Sequence, residues 1–174
     1  MNKYSVTSAL TIRICMDLAF FARKFGVKIV FLESCTGGLT SSWISSLNGS
    51  SSWFEGALVT YSNRMKNVFL EVNEKELSSH GAVSAQVAAS MANSLSKEKF
   101  ANIVTSSITG IAGPGGGSQK KPVGQVFFGW GGPWGVDTTH KKFNGNRQEI
   151  REQAAKYAII NLAKRVALIN KKNF

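Results

Sequence analysis

The spacing of apolar residues along the chain predicts helices that alternate with short buried strands. Near the amino end, apolar side chains recur at steps of three and four, which is typical of an amphipathic helix, here over residues 5–25. Gly26 follows the last of these positions and is expected to end that helix. The apolar run at 27–32 then predicts the first buried strand.

The same two patterns continue to the carboxyl end of the chain. Further helices are predicted at four places: 39–47, from 64, from 84, and 150–169. Further strands are predicted at four places: 56–61, 103–108, 123–130 and 136–143. Gly131-Gly132-Pro133 predicts a hairpin between the last two strands, while 48–52 and 73–79 are assigned to no helix or strand. The alternation favours an α/β fold with a mixed, mostly parallel sheet, in a single domain over residues 1–174.

Three of the predicted strands end in polar or glycine-rich turns, at Ser34, at Tyr61 and at Thr109. The carboxyl ends of neighbouring parallel strands meet at one edge of a sheet, and ligands of such folds bind beyond that edge. If the three strands are neighbours, their turns share this edge. The sequence therefore predicts the functional site there.

The turn at 33–38, Glu-Ser-Cys-Thr-Gly-Gly, places Ser34 between a buried strand and a helix. A serine in this position can act as a nucleophile, with backbone N–H groups of Thr36 to Gly38 stabilising the oxyanion. A glycine-rich turn that opens a helix can instead bind a phosphate. The turn by itself does not separate these two interpretations.

Tyr61 and Lys66 follow the second predicted strand and offer a base for Ser34. Lys66 falls in the first turn of a helix capped by Ser62 or Asn63, where the helix dipole and burial both lower a lysine pKa. A neutral lysine can take the serine proton as a general base, and a tyrosine hydroxyl can relay or orient that proton. The competing interpretation is a solvated surface lysine beside a tyrosine that only packs. Spacing alone leaves both open.

The net charge is the unusual feature of the composition, since 21 Lys and Arg residues against 10 Asp and Glu residues give +11 at pH 7. Such a charge attracts anions, whether a nucleotide, a nucleic acid or an acidic membrane surface. The basic residues are spread over many predicted elements, so a nucleic-acid partner is not favoured. No cluster of His, Cys and Asp has metal-ligand spacing, and no metal is expected.

Charged residues and cysteine usage indicate a soluble cytoplasmic protein. Arg13, Asp17 and Arg23 interrupt the apolar residues near the amino end, which argues against a signal peptide and against a membrane helix. The two cysteines, Cys15 and Cys35, are too few for a disulfide framework and fit a reducing compartment.

Six motifs in one order resemble the CinA C-terminal domain family, over about residues 5–168. They are ESCTGG at 33–38, SSSWFEG at 50–56, VTYSNRMK at 59–66, HGAVS at 80–84, TGIAGPGGGS at 109–118 and KPVG at 121–124. The resemblance implies a three-layer α/β/α sandwich, a homo-oligomer, and hydrolysis of the carboxamide of nicotinamide mononucleotide. The products would be nicotinic acid mononucleotide and ammonia, with no cofactor. The family's serine, tyrosine and lysine fall on Ser34, Tyr61 and Lys66.

The resemblance and the shared edge together select residues for substrate contact. They are Cys35, Thr36, Gly37, Gly38, Ser51, Thr109, Gly110 and Arg147. Arg147 suits a phosphate because its guanidinium is a planar fork of hydrogen-bond donors. Two positions depart from the family pattern: Leu32 stands where a small residue is usual, and Asn146 stands where an aspartate precedes the arginine. These departures leave open a paralogue that binds a nucleotide without turning it over.

Overall fold

The computed structural model describes residues 8–95 and 102–169 of the 174-residue chain. The helices of these ranges are α1 (Ala9–Phe25), α2 (Leu39–Ser45), α3 (Asn63–Leu70), α4 (Glu74–His80), α5 (Ala85–Asn93) and α6 (Arg147–Ala167). The strands are β1 (Lys28–Glu33), β2 (Phe54–Val59), β3 (Ile103–Gly110), β4 (Gln125–Gly132) and β5 (Gly135–Lys142). A single turn of 3-10 helix spans Ser50–Ser52.

The five strands form one mixed sheet in the order β2-β1-β3-β4-β5. β1 pairs in parallel with β2 on one side and with β3 on the other, whereas β4 runs antiparallel to both β3 and β5. Gly132 lies opposite Gly135, so the predicted hairpin exists and turns through residues 133–134. The predicted mixed sheet with a parallel core is therefore confirmed.

Helices cover both faces of the sheet, and β1 is therefore buried on both sides. Ile29 and Phe31 face the larger apolar core, which α1, α2 and α6 complete. Val30 and Leu32 face the smaller core beneath α3, α4 and α5. This alternation follows from the two-residue period of a strand, and burial on both faces explains the nearly continuous apolar run in the sequence. Leu32, the first departure from the family pattern, is thus a core residue.

Capping groups define the helix ends more sharply than the apolar pattern does. The Ser8 side chain accepts a hydrogen bond from the backbone N–H of Thr11, and Gly26 ends α1 in the left-handed region at φ 66°. The predicted start of this helix at residues 5–7 lies outside the described residues. Ser62 caps α3 through the N–H of Met65 at 3.2 Å, which confirms one of the two predicted caps.

The segment 73–79, assigned to no element from the sequence, is mostly helix α4. The side chain of Asn73 caps it, accepting from the N–H of Lys75 at 2.8 Å, and Leu77 is buried in the smaller core. Its seven residues present too short an apolar pattern to recognise. Within residues 8–95 and 102–169, no helix combines the length and apolarity that crossing a bilayer requires.

Candidate active site

The three turns that the sequence placed at one edge of the sheet do meet there. Glu33, the last residue of β1, pairs with Val59 of β2 and with Ile108 of β3, so the chain leaves all three strands at the same level. A cleft of about 250 Å³ opens between these turns and the start of α6. Its lining residues are Ser34, Cys35, Tyr61, Lys66, Ala82, Val83, Thr109, Gly110, Ile111, Ala112, Gly113, Gly115, Gly116 and Arg147.

Ser34 and Lys66 are in direct contact at the floor of this cleft. The Lys66 Nζ atom lies 2.8 Å from the Ser34 Oγ atom. The Lys66 side chain is fully buried, and Ser34 is only 7% exposed. Of the two interpretations of Lys66, the solvated surface lysine is therefore wrong.

Burial lowers the pKa of Lys66 from its ordinary value to about 8. Lys66 Nζ also donates to the backbone carbonyls of Thr60, at 2.7 Å, and Tyr61, at 3.3 Å. A neutral amine has two N–H donors and one lone pair, whereas an ammonium has three donors and no acceptor. Nζ thus has three oxygen neighbours, these two carbonyls and Ser34 Oγ, and when the amine is neutral its two N–H groups can keep the carbonyls while its lone pair accepts from the Ser34 hydroxyl.

The hydroxyl of Tyr61 points toward Arg147 and does not stand between Ser34 and Lys66. Arg147 Nη2 donates to the Tyr61 hydroxyl at 2.9 Å, and the Tyr61 side chain is 58% exposed. The expectation that Tyr61 bridges the serine and the lysine is thus corrected, because those two groups bond to each other directly. Tyr61 contributes its backbone carbonyl to Lys66 and its phenol to the wall of the cleft.

Glu33 is a site residue that the sequence analysis missed. Its carboxylate is completely buried and accepts hydrogen bonds from the backbone N–H groups of Gly38, Thr40 and Ser41 and from the Ser41 hydroxyl. α2 begins after Gly38, which has no side chain to cap it, so Glu33 caps the helix from the preceding strand. These hydrogen bonds connect the residue before the Ser34 turn to the start of the helix after it, so they fix both ends of the turn.

The glycine amides of the turn are therefore not available to a ligand, which corrects two expectations. The Gly37 N–H donates to the carbonyl of Ser34 at 3.0 Å, and the Gly38 N–H donates to Glu33 at 2.9 Å. Neither glycine can offer its amide to an oxyanion, and the buried carboxylate leaves no room for a phosphate at the helix start. Among the described residues, the N–H groups of Cys35 and Thr36 have no hydrogen-bond acceptor.

We predict that Glu33→Ala destabilises the protein by about 2–3 kcal/mol, because it leaves several backbone N–H groups without an acceptor and opens a void. Glu33→Gln keeps one carboxamide oxygen as an acceptor and should cost less. Urea unfolding of both variants beside the wild type measures the difference. A Glu33→Ala protein within about 0.5 kcal/mol of the wild type would show that the carboxylate is not needed for the turn.

Thr109, Gly110 and Arg147 lie where the sequence analysis placed them, in the cleft wall. The Thr109 hydroxyl donates to the carbonyl of Ala82 at 2.8 Å, which ties the end of β3 to the start of α5. Gly110 is required by close packing, because a Cβ atom there would lie 2.7 Å from the side chain of Val126. The glycine thus lets β3 and β4 pack closely at the edge of the cleft.

Arg147 is the first residue of α6, and Asn146 caps that helix. The Asn146 side chain accepts from the N–H groups of Gln148 and Glu149, and the Glu149 side chain accepts from the Asn146 N–H, which completes a capping box. Arg147 Nη1 also donates to the carbonyl of Gly113 at 2.6 Å. The asparagine at position 146 therefore still caps the helix and leaves Arg147 held by neutral acceptors.

A family model described as "CinA C-terminal domain" matches residues 15–166. The chain belongs to the CinA C-terminal domain family. Two relatives are named nicotinamide-nucleotide amidohydrolase PncC. The one from Enterobacter agglomerans is 46% identical over 128 residues, covering 73% of this chain and 77% of that protein. The one from Escherichia coli K12 is 44% identical over 138 residues, covering 79% of this chain and 83% of that protein.

Longer members of the family match as well. A Prochlorococcus marinus (strain MIT 9301) protein named CinA-like protein is 48% identical over 126 residues, covering 72% of this chain and 30% of that protein. The chain spans about a third of the length of such CinA-like relatives. The crystal structure of competence/damage inducible protein CihA from Agrobacterium tumefaciens has a TM-score of 0.85 at 30% identity and covers 94% of this chain and 99% of that chain. The fold is thus that of known CinA structures.

Four of the residues predicted to contact the substrate are not among those that line the cleft, namely Thr36, Gly37, Gly38 and Ser51, and Ser51 lies farthest along the chain from it. Ser51 lies in the 3-10 turn before β2, and β2 enters the sheet at the end opposite to the Ser34 turn. A six-residue strand spans about 20 Å, which places Ser51 that far from Tyr61. Within one chain, Ser51 therefore does not reach the cleft that holds Ser34 and Lys66, and its contact with the substrate stays a prediction.

Cys35 follows Ser34 and lines the cleft, but its thiol is unsuited to nucleophilic attack. Burial raises the pKa of the Cys35 thiol to about 12, so the reactive thiolate is disfavoured. The side chain is part of the larger apolar core. Among the described residues, no group of three or more His, Cys, Asp or Glu side chains comes together as metal ligands would.

Proposed function

We propose that the protein hydrolyses the carboxamide of nicotinamide mononucleotide, giving nicotinic acid mononucleotide and ammonia. The observation that carries this proposal is the 2.8 Å contact between Ser34 Oγ and the fully buried Lys66 Nζ at the floor of the cleft. A serine with a low-pKa lysine is an activated nucleophile for acyl transfer. The substrate is inferred from the relatives named nicotinamide-nucleotide amidohydrolase, which this chain matches over more than three-quarters of their length.

The first half of the reaction forms an acyl-enzyme on Ser34. The neutral Lys66 amine takes the hydroxyl proton as Ser34 Oγ attacks the carboxamide carbon. The carboxamide oxygen becomes an oxyanion, and the free N–H groups of Cys35 and Thr36 are the donors in the turn that can stabilise it. When the intermediate collapses, Lys66 returns its proton to the departing nitrogen, which leaves as ammonia.

The second half of the reaction restores the serine. A water molecule attacks the ester carbon while Lys66 takes one of its protons. Collapse of the second intermediate breaks the bond to Ser34 Oγ, which recovers its proton from Lys66, and the carboxylic acid is released. Lys66 thus acts in turn as base and acid, and a pKa of about 8 suits both tasks near neutral pH.

The cleft wall offers groups to hold the nucleotide while this happens. Arg147 supplies a positive charge held by the Tyr61 hydroxyl and the carbonyl of Gly113. We infer that Tyr61 acts mainly by positioning Arg147, since its hydroxyl bonds to the guanidinium. Thr109 and Gly110 line the opposite side, where backbone can approach the ribose.

The proposal is tested by incubating the purified full-length chain with nicotinamide mononucleotide and measuring ammonia and nicotinic acid mononucleotide. Equal amounts of the two products, formed over many turnovers, would support it. Tight binding of the nucleotide without turnover would identify the protein as a silent paralogue that binds a nucleotide. Binding that occurs only to nucleic acid, and weakens steeply with salt, would favour the nucleic-acid alternative.

The rate should depend on pH through Lys66, which must be neutral to act as the base. Below its pKa of about 8 the neutral fraction falls, so kcat/KM should decrease about tenfold for each pH unit and level off above about pH 8. The measurement is ammonia release under substrate-limited conditions across this range. A profile that stays flat between about pH 6 and about pH 8 would contradict the assignment of Lys66 as the titrating base.

A further inference from the structure

A second depression adjoins the cleft on the far side of Arg147. Its volume is about 650 Å³, and it shares Ala112 and Arg147 with the cleft. Its other walls include Pro114 on one side, and Gln148 and Arg151 of α6 on the other. We call it the outer depression. A ligand that extends from Ser34 past Arg147 would enter it.

Two guanidinium groups flank the outer depression. Arg147 and Arg151 are four residues apart on α6, so their side chains lie on the same face of the helix. Arg151 Nη1 donates to the side-chain oxygen of Gln148 at 3.2 Å, and its Nη2 donates to the carbonyl of Thr36 at 2.7 Å. All the hydrogen-bond acceptors of these two arginines, within the described part of the chain, are neutral oxygens.

The two carboxylates of α6 nearest in sequence to these arginines form their hydrogen bonds with neutral donors and not with either guanidinium. Glu149 accepts from the backbone N–H of Asn146, and Glu152 accepts from the side-chain amide of Gln148. By contrast, Arg165 near the other end of α6 pairs with Asp137 at 3.2 Å. Each guanidinium has five N–H donors, so both arginines of the outer depression keep unused donors, and neither forms an ion pair with a described residue.

We propose that the outer depression binds the phosphate monoester of the substrate, with Arg151 as its second guanidinium beside Arg147. This proposal rests on the proposed function, because it takes the substrate to be a nucleotide that reacts at Ser34. A phosphate monoester is close to a dianion at neutral pH and offers several oxygens to two planar forks. A nucleoside without the phosphate would lose these contacts.

Arg151 also connects the outer depression to the turn that carries Ser34. Its hydrogen bond to the Thr36 carbonyl reaches the second residue after the nucleophile. A phosphate bound to Arg151 would therefore fix the position of its guanidinium, which in turn fixes the Ser34 turn through the Thr36 carbonyl. Binding energy from a remote part of a substrate is then used to position the reacting groups, so a substrate lacking the phosphate should lose kcat as well as affinity.

The test compares nicotinamide mononucleotide with the nucleoside nicotinamide riboside in the wild type and in Arg151→Gln. We expect the wild type to prefer the nucleotide by at least about 100-fold in kcat/KM, as charge-assisted contacts of this kind provide. Arg151→Gln should reduce that preference by about 10-fold or more, mainly by slowing the nucleotide reaction. Lys164→Gln is the matched control, since it removes one positive charge from an exposed position of the same helix and should leave the preference unchanged.

A merely structural role for Arg151 gives a different result, because both substrates would then slow by the same factor. An unchanged preference in Arg151→Gln would overturn the proposal. If that variant does not fold, Arg151→Lys keeps the charge and a donor for Thr36. Arg151→Lys should lower the preference for the nucleotide by less than the tenfold loss expected of Arg151→Gln, which removes the charge. A preference equal to that of the wild type would count against a role for the planar fork.

Failure of the proposed function can be told apart from failure of this inference. If the wild type releases no ammonia from either compound, the function is wrong, and calorimetric titration with the same two compounds tests the subsite. Tighter binding of the nucleotide in the wild type, lost in Arg151→Gln, would then still support it. Equal binding of nucleotide and nucleoside by the wild type would overturn it.

Discussion

Ser34→Ala should abolish ammonia release from nicotinamide mononucleotide while leaving the protein folded. Ser34 Oγ is the protein atom that the proposed reaction attaches to the substrate, so its removal should lower kcat by at least ~10³-fold. The fold should tolerate the change, because Lys66 retains the carbonyls of Thr60 and Tyr61 as acceptors. The free energy of unfolding should therefore change by no more than about 1 kcal/mol.

The assay for this variant is product formation under single-turnover and steady-state conditions, with urea unfolding run in parallel. Ser42→Ala is the matched control, since it makes the same chemical change at an exposed position of the adjacent helix α2. It should keep wild-type activity. If Ser34→Ala retained more than about a tenth of the wild-type rate, another group would have to be the nucleophile.

The position of Ser34 could be predicted because every signal for it is local. An apolar run, a polar turn and two glycines specify a strand, a turn and a helix within about twelve residues. The meeting of the turns at Ser34, Tyr61 and Thr109 needed one further rule, that parallel strands share an edge for their carboxyl ends. The register of β1 with β2 and β3 confirms it.

The role of Glu33 could not be predicted, because it depends on where a side chain turns after its strand ends. A helix cap is normally expected at the residue just before the helix, and that residue here is Gly38. Glu33 instead reaches forward five to eight residues to the amides of Gly38, Thr40 and Ser41, of which only the Gly38 amide had been assigned to the oxyanion. The Gly38 N–H is thereby removed from the donors that could stabilise an oxyanion.

Contacts between distant segments were also beyond the sequence. The Tyr61 hydroxyl meets Arg147 across 86 residues, and Arg151 meets the Thr36 carbonyl across 115. No periodicity or motif spacing carries such information. Only the packing of α6 beside the Ser34 turn brings these guanidinium groups to the cleft. The prediction that Tyr61 bridges Ser34 and Lys66 was wrong for this reason, since the Tyr61 hydroxyl bonds to Arg147 at the start of the last helix.

Lys66→Met should reduce kcat by at least ~10³-fold, because no other amine or imidazole contacts Ser34 among the described residues. The methionine side chain fills a similar volume without a charge. Removing an amine from a fully buried position is favourable, whereas the carbonyls of Thr60 and Tyr61 lose their donor, so the free energy of unfolding should change by no more than about 1–2 kcal/mol. Activity is measured as ammonia release, and Lys75→Met, at an exposed position of α4, is the matched control expected to stay active.

Lys66→Arg separates two roles that Lys66→Met cannot distinguish. A lysine beside the nucleophile could act as a neutral base or as a fixed positive charge near the oxyanion. Arginine keeps the charge, but its guanidinium stays protonated and so cannot accept the serine proton. Because burial lowers the pKa of Lys66 to about 8, its neutral form is accessible near neutral pH whereas that of arginine is not, and we expect Lys66→Arg to be as inactive as Lys66→Met. Substantial activity in a folded Lys66→Arg protein would instead assign the catalytic contribution to the charge.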